Sequence, residues 1–135
     1  HTYNNHPIST LMGFKNIEII EREGLVQNSA EVGAYLLEGL RSLAGHVSVG
    51  DVRGLGLITA VEFVRDKKTR ARFAEHEGFC ERVMALALQQ GLILRQVEDI
   101  IEFCPPLIIT RPEVDEMIRI TESAIAQAEK EFGLA

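Results

Sequence analysis

The chain has 135 residues, 46% of them hydrophobic and 25% charged, with a formal net charge of −6 and a pI near 5.2. That size suits one domain able to bury its own core, and the composition excludes a mainly disordered chain. The acidic balance excludes nucleic acid as a partner, because binding a phosphate backbone needs a sustained basic face. Lys67, Lys68, Arg70 and Arg72 form the one basic cluster, and with Glu75 and Glu77 close behind it reads as a solvated loop. No apolar stretch is long enough to cross a bilayer and no signal peptide is seen, so no membrane partner is expected. Cys80 and Cys104 lack metal-ligand spacing and read as buried thiols in a reducing cytoplasm, with no metal site. The first residue is His1, in a polar aromatic segment, which reads as a chain entered in its middle.

From Pro7 to Glu23 the pattern is helical, and Pro7 suits a first turn, where its missing N–H is harmless. Ile8, Leu11, Met12 and Ile19 mark one face while Phe14, Ile17 and Ile20 spread onto another, so this helix is expected to pack between layers. Gly24 breaks it. Leu25 to Ala44 reads as a second helix on the spacing of Val26, Gly33, Leu36, Leu37, Leu40 and Leu43, with Gly45 as its cap.

At Val47 the period changes to two. Val47 to Val52 and Leu57 to Val64 read as strands, with a bend at Gly54 and Gly56. Residues 65–75 are polar and read as a loop. Glu77 to Gln90 is a third helix, with Phe79, Cys80, Val83, Met84 and Ala87 inward and Gly91 as its cap. Leu92–Arg95 and Ile100–Cys104 read as short strands around a turn at Gln96–Asp99, and Pro105-Pro106 forbids further pairing. Thr110-x-x-Glu113 is a capping box that opens the last helix, with Pro112 in its first turn and an apolar stripe of Val114, Met117, Ile118, Thr121, Ile125, Ala128 and Phe132. Long helices beside a block of short strands predict an α+β domain: a short-stranded, largely antiparallel sheet with helices packed on one face.

Chemistry is harder to read. No nucleophile–base pair is legible. His46 reads as loop-exposed, His76 as part of a polar helix start, and the spacing of His1 and His6 gives no ligand geometry. Glu62, in an apolar strand, is either a catalytic acid or an outward residue of a half-exposed sheet. Arg95, ending the run Gly91-Leu92-Ile93-Leu94, is either a surface residue or a guanidinium at a sheet rim, placed to hold a carboxylate through two parallel hydrogen bonds. Thr2 to Pro7 offers a hydroxyl, backbone amides and a helix start in succession, a weak anion-site signal.

The string HTYNNHP resembles the GHTYxxHP segment of class III aminotransferases. Four further blocks follow in family order: Ile19-Ile20-Glu21-Arg22-Glu23-Gly24-Leu25, Val52-Arg53-Gly54-Leu55-Gly56-Leu57, Gly91-Leu92-Ile93-Leu94-Arg95, and Pro105-Pro106-Leu107-Ile108-Ile109-Thr110. Any one is weak; five in register over nearly the whole chain are specific. The narrower match, carried by the Leu-Arg turn and PPLIIT, is to the amine or omega-amino-acid:pyruvate aminotransferases.

The resemblance implies the C-terminal small domain of a fold-type I, pyridoxal phosphate (PLP)-dependent enzyme. Residues 1–24 would be the segment and helix leaving an absent large PLP-binding domain, and residues 25–135 the small domain itself. It implies transfer of an amino group from an amine or omega-amino acid to a 2-oxo acid such as pyruvate, in a homodimer or dimer of dimers. Thr2 matches the threonine that hydrogen-bonds the PLP phosphate of the neighbouring subunit. Arg95 matches the mobile arginine that binds a substrate carboxylate. None of the four lysines (Lys15, Lys67, Lys68, Lys130) sits in the strand-end setting of the family's Schiff-base lysine, so the isolated chain is expected inactive, with no catalytic residue and no stably bound PLP. Two departures stand out. Asn4 and Asn5 replace small residues, and Gln96-Val97-Glu98-Asp99 lacks the glycine that members place before the second strand, with Glu98 as an acid placed to pair with Arg95. The alternative is a free-standing, non-catalytic small-domain module for binding or regulation.

Overall fold

In the computed structural model, residues 6–134 are described. Four helices, α1 (Pro7–Arg22), α2 (Leu25–Ser42), α3 (Phe79–Gln89) and α4 (Arg111–Glu131), accompany four strands, β1 (Val49–Leu55), β2 (Ile58–Phe63), β3 (Arg95–Val97) and β4 (Ile100–Phe103). The sheet order is β1-β2-β4-β3 and every neighbouring pair is antiparallel. It is built of two hairpins, β1–β2 and β3–β4, joined where β2 meets β4. The expected α+β architecture is thus present.

Period-two alternation divides the sheet. Thr59, Val61 and Phe63 of β2 and Ile101 and Phe103 of β4 are buried, while Ala60, Glu62, Ile100 and Glu102 between them are only half-buried. The buried set meets Val32, Leu36 and Leu40 of α2, Phe79, Val83 and Leu86 of α3, and Val114, Ile125 and Ala128 of α4. The helices α2, α3 and α4 therefore cover one face, and the other face stays open to solvent.

Two local devices hold this arrangement. First, Gly56 adopts φ +57° in the two-residue turn between β1 and β2, and α2 lies directly on that turn. A Cβ on Gly33 would stand 2.2 Å from the Gly56 carbonyl carbon. The obstacle is backbone and cannot swing away. Second, Glu129 of α4 is buried and accepts hydrogen bonds from Ser48 N–H at 2.9 Å, Ser48 Oγ at 2.7 Å and His46 Nδ1 at 2.8 Å. His46 is therefore largely buried, where the sequence suggested a loop-exposed residue: only a fold that brings positions 46 and 129 together reveals its partner.

An aromatic cluster closes one end of the core. Phe73 stacks on Phe79 with centroids 4.3 Å apart, and Phe132 meets Phe79 edge-on at 5.1 Å. The polar loop at 65–75 is thus pinned through one buried ring. Helix α1 departs from expectation. None of its residues is buried, and Ile8, Leu11, Met12, Phe14 and Ile17 are exposed, because among the described residues α2 is the main element it touches. Cys80 is buried, and burial, with Glu81 and Asp99 nearby, pushes its thiol up to about 12. Cys104, expected to be buried, is exposed: it lies just past β4, on the outward side of the alternation.

Two predictions follow from these contacts. Gly33→Ala, which would stabilise an open helix by about 1 kcal/mol, is expected here to destabilise by about 1–3 kcal/mol through overpacking against the Gly56 backbone, read as a lower midpoint in thermal unfolding. Glu129→Gln is expected to destabilise by about 2 kcal/mol at neutral pH, since it weakens charge-assisted bonds to a buried group. Burial alone would raise the Glu129 carboxyl; the bonds from His46 and Ser48 outweigh it and hold the group below the ordinary carboxylate range. A depressed folded-state value means that this contribution is full above about pH 4.3 and is lost as pH falls further. The acid limb of a stability–pH curve should therefore be shallower in Glu129→Gln than in the parent.

Candidate functional site

The open face of the sheet carries the charged residues. Strand register fixes two rows across it: Arg53, Ala60, Glu102 and Arg95 in one, and Asp51, Glu62, Ile100 and Val97 in the other. Arg53 Nη1 bonds Asp51 Oδ2 at 2.7 Å and Glu62 Oε2 at 2.6 Å, and these two bonds hold Arg53 firmly protonated. Glu62 is thus an outward residue neutralised by a cation, and nothing else in its surroundings marks it as a catalytic acid.

Arg95 begins β3 at the far edge of the same face, directly opposite Glu102. Its Nε lies 3.4 Å from Glu102 Oε2, and its side chain is 75% exposed. Beside it a hollow of about 490 Å3 opens, walled by Leu92, Ile93, Leu94, Glu102, Pro105 and Ile108. Across the hollow, α4 starts as its sequence predicts: Glu113 reaches back to accept from Thr110 N–H at 2.8 Å and Thr110 Oγ1 at 2.7 Å, which lowers the Glu113 carboxyl. Arg95 itself does not line this hollow, but its neighbours Leu94 and Glu102 do, so a loosely held guanidinium stands next to a mostly apolar space.

Some expectations about this edge need correction. The apolar run Leu92–Leu94 is not strand. Leu92 N–H bonds back to Ala87 O at 3.0 Å and Gly91 N–H to Leu88 O at 2.9 Å, so these amides finish the α3 cap and extended pairing starts only at Arg95. The turn is correspondingly shorter: Val97 pairs with Ile100, leaving only Glu98 and Asp99 in the loop. Glu98 adopts φ +53°, a left-handed conformation that disfavours a side chain. Its carboxylate meets Arg72 at 3.0 Å and leaves Arg95 to Glu102. Gln96 steadies the turn, donating to Glu81 Oε1 and to the Glu98 carbonyl, both at 2.8 Å.

Thr2 lies outside the described residues, as does all of the predicted anion segment before His6. His6 caps α1, its Nδ1 accepting from Ser9 N–H at 3.3 Å, and so occupies an amide that an anion would need. Lys15 lies in α1, Lys67 and Lys68 in the loop after β2, and Lys130 in α4; all four are exposed, and Lys67 donates to the Ala44 carbonyl at 2.6 Å. Among the described residues, no group of three or more His, Cys, Asp or Glu is placed to hold a metal, and no helix is long and apolar enough to cross a membrane.

The family model for class III aminotransferases matches residues 1–125. The chain belongs to the class III aminotransferases. Within that family it is 44% identical over 127 residues to the diaminobutyrate–2-oxoglutarate transaminase of Halomonas elongata, covering 92% of this chain and 27% of that protein. It is 35% identical over 127 residues to the putrescine–pyruvate aminotransferase of Pseudomonas aeruginosa, covering 93% of this chain and 28% of that one. Among solved structures, a transaminase from ancestral reconstruction superposes with a TM-score of 0.93 at 44% identity, covering 97% of this chain and 29% of its own. A transaminase from the marine bacterium Virgibacillus gives a TM-score of 0.93 at 34% identity, covering 98% and 31%. The chain thus spans little more than a quarter of the length of the curated relatives it matches.

Sequence reasoning missed Glu102. A signal for it exists: in a two-residue hairpin loop at Glu98-Asp99, positions 95 and 102 stand symmetrically about the turn, whereas a four-residue turn at 96–99 places Ile100 opposite Arg95. For the turn itself, Glu98→Gly is expected to stabilise by roughly 0.5–1 kcal/mol, relief of left-handed strain being partly offset by glycine's backbone entropy. The lost ion pair with Arg72 is exposed and matters little. A raised midpoint in thermal unfolding checks this.

Proposed function

We propose that this chain is the C-terminal small domain, residues 25–135, preceded by the segment and helix of residues 1–24 that leave the large domain of a class III aminotransferase. The intact protein transfers an amino group from an amine or omega-amino acid to a 2-oxo acid. The observation that carries this reading is Arg95: a largely exposed guanidinium beside a mostly apolar hollow, in a chain of this family. PLP, the cofactor of the family, supplies the electron sink for the transfer, and the lysine that anchors it belongs to the large domain. Arg95 binds the carboxylate of the oxo acid, its planar fork matching two carboxylate oxygens. When the substrate is an amine with no carboxylate, the same side chain withdraws into solvent, and the hollow receives an uncharged chain.

Thr2 donates its hydroxyl to the PLP phosphate of a neighbouring subunit, so the working unit is a homodimer or a dimer of dimers, in the cytoplasm. The exposed apolar side chains of α1 support a large domain or second subunit over this helix. The isolated chain, without the lysine, is inactive. The relatives favour this reading over a free-standing binding module, since those named here are transaminases. Pyruvate is the acceptor named in the Pseudomonas aeruginosa relative and 2-oxoglutarate in the Halomonas elongata one. Both carry the carboxylate that Arg95 would hold, and both belong in the assay.

In the full-length enzyme, Arg95→Ala is expected to lower kcat/KM for the 2-oxo acid by about 10- to 100-fold, the worth of a charge-assisted hydrogen-bonded contact. Its kcat/KM for a carboxylate-free amine should change little. Steady-state kinetics with each substrate varied in turn reads the difference, and equal losses on both would remove Arg95 from the carboxylate role.

A further inference from the structure

We infer that Glu102 sets the balance between acid and amine substrates, as a resident carboxylate that competes with the incoming one for Arg95. This rests on the reading of Arg95 just given. Glu102 stands directly across the β3–β4 ladder from Arg95, and its Oε2 is 3.4 Å from Arg95 Nε. Among the described residues, neither side chain has another ion-pair partner. The other cation of the row, Arg53, is already bonded to Asp51 and Glu62, so it does not relieve Glu102. The acids of the adjacent turn, Glu98 and Asp99, face Arg72 at 3.0 and 3.9 Å, so they do not relieve Arg95.

The geometry of the pair fits a holding contact. The nearest approach of Arg95 to Glu102 is Nε at 3.4 Å, beyond a good hydrogen bond, so the guanidinium fork is not committed to a bidentate pair there. Glu102 also walls the hollow, and its side chain is 34% exposed against 75% for Arg95. The less hydrated, shorter acid stays fixed on the sheet while the longer, more exposed cation moves. With an oxo acid bound, Arg95 leaves Glu102 and the departure weakens the acid's net affinity. With an uncharged amine chain bound, Glu102 takes the guanidinium back and keeps an unpaired cation from facing the mostly apolar hollow.

Three variants of the full-length enzyme test this, assayed with pyruvate and with n-butylamine. Glu102→Gln keeps size and removes the charge. It should lower KM for pyruvate about two- to five-fold, the range set by an exposed ion pair, and raise KM for n-butylamine, with kcat nearly unchanged. Glu102→Asp keeps the charge on the same face and should keep most of the parental balance. In an Arg95→Ala background, Glu102→Gln should no longer move the pyruvate KM, which a merely structural role for Glu102 would not predict. If Arg95→Ala raises the pyruvate KM but Glu102→Gln leaves both KM values at parental level, the inference about Glu102 is overturned and the Arg95 reading stands. If Arg95→Ala leaves the pyruvate KM unchanged, both fall. Thermal unfolding of each variant separates these shifts from misfolding, and Glu102→Asp preserves the comparison should the glutamine variant fail to fold.

Discussion

The pairing of β2 with β4 is the constraint from which both the core and the site follow. Val61 opposite Ile101 and Thr59 opposite Phe103 put the inward residues of the two hairpins into one buried layer. A slip of one residue would turn that layer out to solvent, so burial fixes the register. The same alternation sends Glu62 and Glu102 to the opposite face. The two-residue loop at Glu98-Asp99 then places Arg95 beside Glu102. The charged row is thus a consequence of hydrophobic register: moving Arg95 relative to Glu102 would require breaking the core pairing or lengthening the turn.

The parts of this architecture legible in the sequence are those with local causes. The four helices declare themselves by apolar spacing and punctuation, and the Thr110–Glu113 signal marks the start of α4 to the residue. The family was legible because five short blocks stand in order, and Arg95 became a candidate through that resemblance. What was hidden depends on distant partners or on competition for backbone amides. Glu129 meets His46 and Ser48 only because α4 crosses the start of β1, and neither end announces it. Phe73 looks like an isolated ring in a polar loop until Phe79 lies under it. Leu92 and Leu94 have the composition of a strand, yet the Leu92 amide is claimed by Ala87, so the chain stays in the helix cap. That single bond shifted the expected hairpin and concealed Glu102.

Helix α1 shows the opposite case, where the sequence pattern outruns the contacts present. Its apolar residues on more than one face ask for cover on both sides, and α2 supplies only one. On the proposed reading, the large domain or a second subunit would cover these faces. By contrast, the buried stripes of α2, α3 and α4 are satisfied within the described residues.

Two guanidiniums share the open face, and local energetics distinguish them without reference to any relative. Arg53 makes two short hydrogen bonds to two carboxylates and is half-exposed. Swinging it away would break two exposed ion pairs, each worth at most about 1 kcal/mol. Arg95 faces one carboxylate at a longer distance and in more water, an arrangement worth at most about 1 kcal/mol. A side chain that must accept an acid in one half of a reaction and vacate the pocket in the other needs a resting contact of about that strength: enough to give it a place to go, too little to keep it there. On the proposed reading, Arg95, with its single longer contact, is the freer of the two to move.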